Sequence, residues 1–215
     1  MKTIRPACLL GLSLFALAAL TSCKLDINAM RQDTWSKISG AERIFFLENI
    51  ASTTIDTNLS ALAREAAQSG YVQIMRYLQS RGADLNQSDE NGWSPILMAA
   101  ARGDLPMIRF LVENAGADIR AKNNSRTTTL MLAARSGNLE LCRFLLDRGT
   151  NVDAKTLHGI SALMYGASSG NLDLVKLLVE RGADTQVNDS YGNNALAYTT
   201  ANPIRDYLTS LGLKQ

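Results

Sequence analysis

"SGNLDLVKLLVERGAD", residues 169–184, nearly repeats "SGNLELCRFLLDRGTN", residues 136–151. The two phrases belong to a longer series. Aligned on their Gly-Ala-Asp-like triplets, Gly82, Gly116, Gly149 and Gly182 are separated by 34, 33 and 33 residues. A second series, Gly70, Gly103, Gly137 and Gly170, steps by 33, 34 and 33. Self-similarity at such a period marks a stacked repeat, in which no unit can bury its apolar face alone and each neighbour completes the core of the next.

The residues inside one period say what each unit is. Ser94, Thr128, Ser161 and Asn194 occupy the same register, and each has a side-chain oxygen suited to cap a helix that follows. Pro95 falls at a first helical position, where its missing N–H costs nothing. The pairs Ala99–Ala100 and Ala133–Ala134 keep this first helix thin, so that neighbouring repeats can approach. The mid-repeat glycines end it by adopting positive φ. Asp104, Asn138 and Asn171 then cap a second helix, with Glu140 and Asp173 well placed in its first turn. "LDLVKLLV" is apolar on almost every side, as a helix sandwiched between neighbours must be. Polar stretches such as "ADTQVNDSYGN" supply an extended turn, or finger, leading to the next unit.

The segments "SPILMAAARG", "TTLMLAARSG", "SALMYGASSG" and, degraded, "NALAYTTANP" resemble the T-P-L-H-x-A-A signature of ankyrin repeats. The resemblance covers residues 41–215 and implies an all-α repeat solenoid of helix-turn-helix repeats with finger loops. It divides the chain into an N-terminal capping half-repeat at 41–56, four repeats over 57–188 and a degenerate C-terminal capping repeat at 189–215. The family's histidine, which ties finger to first helix, is replaced by Leu97, Met131, Met164 and Ala197. The array is therefore expected to lean more on apolar packing and to hold its fingers less tightly.

Composition agrees with such a core. Apolar residues make up 46% of the 215 and aromatics only 6%, which suits helices built from Leu, Ile, Val, Met and Ala. The formal charge of +2 resides in Lys2 and Arg5. Those two residues begin "MKTIRPACLLGLSLFALAALTSCK", which has a basic start, an apolar run from Ala7 to Leu20 and small residues after it. This is the pattern of a secretory signal peptide, here residues 1–22. Its ending, "LTSC", resembles the lipobox of bacterial lipoproteins and implies acylation of Cys23, with palmitate among the expected chains. Residues 23–40 then hold the acylated cysteine and a tether. Lys24 after the cysteine implies the outer membrane, facing the periplasm. Two or three acyl chains, at about 0.8 kcal/mol per buried methylene, would anchor the protein durably. Without its leader the chain is near neutral, which argues against a nucleic-acid partner. Cys8 leaves with the leader, so Cys142 has no cysteine left to pair with and reads as a small buried hydrophobe.

Little in the sequence supports catalysis. His158, the lone histidine, falls at a finger tip without an acid–base or metal partner nearby, and the acidic residues sit where capping explains them. No phosphate loop and no metal-ligand spacing appears. The expectation is a non-enzyme that uses no cofactor, metal or small-molecule substrate. What the resemblance does imply is a concave protein-binding face made of finger tips and first-helix ends. Carried over position by position, it comprises Glu90, Asn91, Trp93 and Arg102, then Asn124, Ser125, Thr127 and Arg135. The later copies add Leu157, His158 and Ile160, and the last Ser190, Tyr191 and Asn193. Trp93, Leu157, Ile160 and Tyr191 are its large apolar members. The expected role is a scaffold that holds a periplasmic protein; an immunity-type inhibitor of a toxin or enzyme would use the same face.

Overall fold

A computed structural model of the chain describes residues 59–214, within a compact unit that begins at Asn58. The leader, Cys23, the tether and the half-repeat at 41–56 lie outside the described residues. The described helices come in pairs: α1 (Leu59–Ser69) with α2 (Val72–Ser80), α3 (Pro95–Arg102) with α4 (Leu105–Asn114), and α5 (Thr129–Ser136) with α6 (Leu139–Asp147). Then follow α7 (Ala162–Ser168) with α8 (Leu172–Glu180), and a 3-10 turn (Ala195–Tyr198) with α9 (Asn202–Ser210). No strand forms among the described residues; two isolated antiparallel bridges, Lys122 with Thr128 and Lys155 with Ser161, close the bases of two fingers.

First helices pack on first helices in sequence: α1 on α3, α3 on α5, α5 on α7, and α7 on the 3-10 turn. Alanine permits this. Ala63, Ala67, Ala99, Ala100, Ala133, Ala134 and Ala167 are all fully buried at these contacts, where a longer side chain would hold the helices apart. Bulkier residues fill the space between second helices and first: Met107, Ile108, Leu111, Leu141, Cys142, Leu145, Leu174, Val175 and Leu178 are also fully buried. Cys142 is thus one apolar core position among several, and burial pushes its thiol pKa up to about 12.

Capping residues act twice. Asp104, Asn138 and Asn171 each accept a backbone N–H three residues on, from Met107, Leu141 and Leu174. The two asparagines also reach back to the preceding repeat. Asn138 Nδ2 donates to the Gly103 carbonyl at 2.8 Å, and Asn171 Nδ2 to that of Gly137 at 3.0 Å. One side chain therefore starts a helix and ties it to its neighbour.

The missing histidine is replaced in a way the sequence reading did not foresee. Met131 and Met164 fill its register, and their thioether sulfurs accept the N-cap N–H of Thr128 at 3.4 Å and of Ser161 at 3.5 Å. In return Thr128 and Ser161 accept from the backbone N–H of those methionines. Sulfur is a weak acceptor, but it satisfies a group that would otherwise be orphaned. Leu97 cannot do the same. Ser94, expected to cap α3 with its side chain, makes no such bond, and its hydroxyl is buried without a partner.

Along the second helices, arginine–aromatic stacking links successive repeats. The Arg76 guanidinium lies 4.9 Å from the Phe110 ring centre, and that of Arg109 lies 4.6 Å from Phe144. Arg148 stacks on Phe144 at 3.6 Å and also meets Glu113 of the previous repeat at 3.5 Å. Arg181 repeats the device with Asp147 at 2.8 Å. Exposed contacts of this kind contribute under about 1 kcal/mol each. Among the described residues no helix is long and apolar enough to cross a membrane.

The double use of asparagine is testable. Asn138→Asp keeps the cap and loses the donor to Gly103, whereas Asn138→Ala loses both. In urea unfolding the alanine variant should be destabilised by about 1–2 kcal/mol and the aspartate variant by distinctly less. An aspartate variant as stable as wild type would mean that the reach back to the previous repeat contributes nothing.

Candidate protein-binding face

Each finger opens on a residue whose side-chain oxygen collects backbone N–H groups. Asp89 Oδ1 accepts from Asn91 and Trp93 at 2.9 and 2.8 Å, and Asn123 Oδ1 from Ser125 and Thr127 at 3.0 and 2.9 Å. Asp189 Oδ1 accepts from Tyr191 and Asn193, both at 2.8 Å, while Thr156 reaches only Ile160, at 3.1 Å. In all four fingers the same residue's own N–H donates to the carbonyl four residues on, at 2.9–3.1 Å. Sequence reasoning missed these four residues. The signal was present, because they stand 34, 33 and 33 apart and all carry a short polar side chain.

The fingers are also joined to each other. Asn124 N–H donates to the Asn91 carbonyl at 3.1 Å, Leu157 to Ser125 at 3.0 Å, and Ser190 to His158 at 2.9 Å. Asn124 Nδ2 adds a bond to the Glu90 carbonyl at 2.9 Å. This ladder consumes backbone groups of the tip residues and leaves most of their side chains outside. A row of side chains held on a fixed backbone is the geometry of a preorganised binding surface.

Most of the predicted contact residues lie on that row. Glu90, Asn91, Arg102, Asn124, Ser125, Arg135, Leu157, His158, Ser190, Tyr191 and Asn193 are all exposed. Leu157 is 60% and Tyr191 77% accessible, unusual values for large apolar side chains. Three predicted members depart from the expectation. Thr127 is buried, and Trp93 and Ile160 are half-buried against the core. Each precedes an N-cap, where the chain turns inward to enter a first helix, and packing there claims the side chain. The predicted apolar contact set therefore reduces to Leu157 and Tyr191.

One finger carries strain. Gly92, Gly159 and Gly192 occupy the same tip position with φ of 79°, 75° and 82°. In the finger between them that position holds Arg126, with φ 60° and exposed. A side chain in the left-handed region costs about 1–2 kcal/mol relative to glycine.

The last finger carries a buried carboxylate. Asp189 Oδ2 accepts from the Tyr198 hydroxyl at 2.7 Å and from Asn193 Nδ2 at 3.2 Å. That phenol bond, with the N–H groups of Asn193 and Tyr191, lowers the Asp189 pKa to about 2 despite burial. Burial and then the Asp189 hydrogen bond raise the Tyr198 phenol above its ordinary value. Charged groups are otherwise partitioned. The ion pairs found among the described residues, Arg109–Glu113, Arg148–Glu113 and Arg181–Asp147, all lie at second helices. Lys122, Arg126 and Lys155, on the fingers, are exposed and in no ion pair among the described residues.

Catalytic groups do not converge here. His158 is an exposed tip residue whose carbonyl serves the ladder, and a buried thiol with a pKa near 12 does not supply a thiolate at neutral pH. No group of three or more His, Cys, Asp or Glu suited to a metal ion occurs among the described residues.

Two outcomes follow. Arg126→Gly relieves the strained tip and should raise the unfolding free energy by about 0.5–1 kcal/mol, seen as a higher urea midpoint at an unchanged slope; a lower midpoint would show that the arginine supports its own finger. Asp189→Asn keeps an amide oxygen that can accept as Asn123 does, but loses the charge. Because the folded pKa is depressed, the carboxylate's stabilisation is present above about pH 4, where an unfolded aspartate is ionised. It is lost as the pH falls through about 2. The gap in melting temperature between wild type and Asp189→Asn should be open at neutral pH and largely closed at pH 2. A gap of constant size would contradict the charge-assisted bond.

The architecture has recognisable relatives. A family model for ankyrin repeats, three copies, matches residues 63–156 and again 130–211. The mouse protein phosphatase 1 regulatory subunit 27 is 33% identical over 87 residues, which cover 40% of this chain and 54% of that protein. Its human counterpart gives the same identity and coverage. The chain thus spans about half the length of the curated relatives it matches. With the match to the repeat model extending over more than half of its residues, the chain belongs to the ankyrin repeat family.

Proposed function

We propose that this protein is a non-catalytic scaffold, anchored in a bacterial outer membrane by an acylated Cys23, that holds a periplasmic protein on its finger and first-helix face. One observation carries the binding role: side chains such as Leu157 and Tyr191 stand exposed on finger backbones that are fixed by hydrogen bonds to each other. Large apolar side chains on a rigid frame lose little entropy when they meet a partner. The mouse relative, a regulatory subunit by name, supports action through another protein. The anchor rests on the leader-like run and "LTSC" alone. A blocking role, the immunity-type inhibitor, uses the same face; the unpaired cations of the fingers favour it, since an enzyme or toxin of opposite charge would be steered onto them.

Two experiments test the two halves. Affinity capture of the full chain from membranes should recover a partner that is lost with Leu157→Asp and Tyr191→Ala, while the melting temperature changes little. A partner that survives both substitutions would place binding elsewhere. Cys23→Ser should abolish metabolic labelling by palmitate and move the protein to the soluble fraction. Continued sedimentation with membranes would remove the lipid anchor from the account.

A further inference from the structure

The near-neutral total conceals a segregation of charge. Residues 119–139, which form the approach to the second finger, its tip and α5, contain Arg120, Lys122, Arg126 and Arg135 and no Asp or Glu. Residues 154–172, the next finger with α7, contain Lys155 and His158 and again no acid. The acids of these two repeats lie on the second helices, at Glu140, Asp147, Asp173 and Glu180, and in the loops that leave them, at Asp153 and Asp184. Elsewhere the fingers do hold acids: Glu90 is exposed at the tip of the first finger, while Asp89 and Asp189 spend their side-chain oxygens on backbone N–H groups. The cations have no comparable employment: Lys122, Arg126 and Lys155 are exposed and in no ion pair among the described residues.

Three details place an apolar residue among them. Leu157 N–H bonds to the Ser125 carbonyl, which brings the Leu157 backbone to the peptide that joins Ser125 to Arg126 on the neighbouring finger. Lys155 lies two residues before Leu157 at the base of the same finger, where it bridges to Ser161. Arg135 lies 5.9 Å from the Tyr165 ring on the adjoining first helix. Arg126 adds an argument of its own, because the three sister fingers have glycine at its strained position. A residue kept in a disfavoured conformation, where the relaxed alternative is used by its sisters, points to a use for its side chain.

We propose that the two middle fingers, with α5 and α7, bind an acidic segment of a protein partner. Its carboxylates meet Lys122, Arg126, Arg135 and Lys155, and an apolar side chain between them covers Leu157. This inference rests on the finger face being the binding surface and adds the chemistry of what it takes. Nucleic-acid bases are held by stacking on aromatic rings, and the apolar residue among these cations is a leucine, which is why a protein segment fits better than a nucleic acid. Exposed charges of this kind act mainly through association rate and salt dependence.

The test uses the full chain and a labelled peptide of Asp and Glu around a central Leu. An otherwise equal peptide with Asn and Gln, single-stranded DNA and phosphatidylglycerol vesicles are the comparisons. The variants borrow residues from sister repeats: Lys122→Ser, as at Ser88, Arg126→Gly, as at Gly92, and Lys155→Ser. The acidic peptide should bind more tightly than the neutral one and weaken as salt is added. Each substitution should cost about two- to fivefold in affinity. Arg126→Gly should do so while raising thermal stability, a combination that damage to the fold cannot produce. The proposal is overturned if the acidic peptide binds no better than the neutral one, or if the triple variant retains its affinity. DNA or vesicles that bind as tightly and lose affinity with the same substitutions would also overturn it. A captured partner that leaves on Leu157→Asp but stays with the triple variant would sink the acidic segment and spare the binding face; one that stays with both would sink the face as well.

Discussion

Two spacings have to agree for this fold to exist. At the fingers, one backbone hydrogen bond per junction, from Asn124, Leu157 or Ser190, sets how far apart neighbouring loops can be. Inside, the first helices must come correspondingly close, and only side chains as small as alanine let them. The fully buried alanines of α1, α3, α5 and α7 are therefore the condition for the ladder outside them. The asparagines that cap α6 and α8 add a third tie at two of these junctions through the Gly103 and Gly137 carbonyls. Stability in such an array is approximately a sum over junctions, so each of these small contacts adds again wherever it recurs.

The period, the caps and the glycine turns were legible in the sequence because they are local. An N-cap oxygen, a first-turn acid and a left-handed glycine each act within a few residues of themselves, and a regular spacing displays them together. What escaped depended on geometry between segments. Met131 and Met164 read as apolar fillers, and only the position of their sulfurs beside an N-cap N–H shows that they take over part of the histidine's work. Ser94 has the right residue type and register, yet its hydroxyl finds no partner. Thr127 occupies a position that the resemblance assigns to binding, but its side chain is buried where the chain turns into α5.

Charge shows the limit of composition most clearly. A chain near neutrality gives no hint of a polar partner, and the sequence reading weighed it that way. The structure sorts the charges by task. Asp84, Asp89, Asp104, Asp118 and Asp189 accept backbone N–H groups in loops and caps. Glu113 and Asp147 pair with arginines at the second helices. The finger cations of the middle repeats are left over, beside an exposed leucine. A sum over the chain cancels what the fold keeps apart.

The claim on which the rest depends is that the fingers are fixed parts of the array. Hydrogen exchange read residue by residue by NMR tests it directly, since protection reports the free energy of opening each bond. The amides of Asn124, Leu157 and Ser190 should be protected to the level of the first-helix amides Leu132 and Tyr165, because opening a finger would open a junction. Exchange at the rate of free loop amides, with the helices still protected, would show fingers that move independently of the stack and would contradict the account.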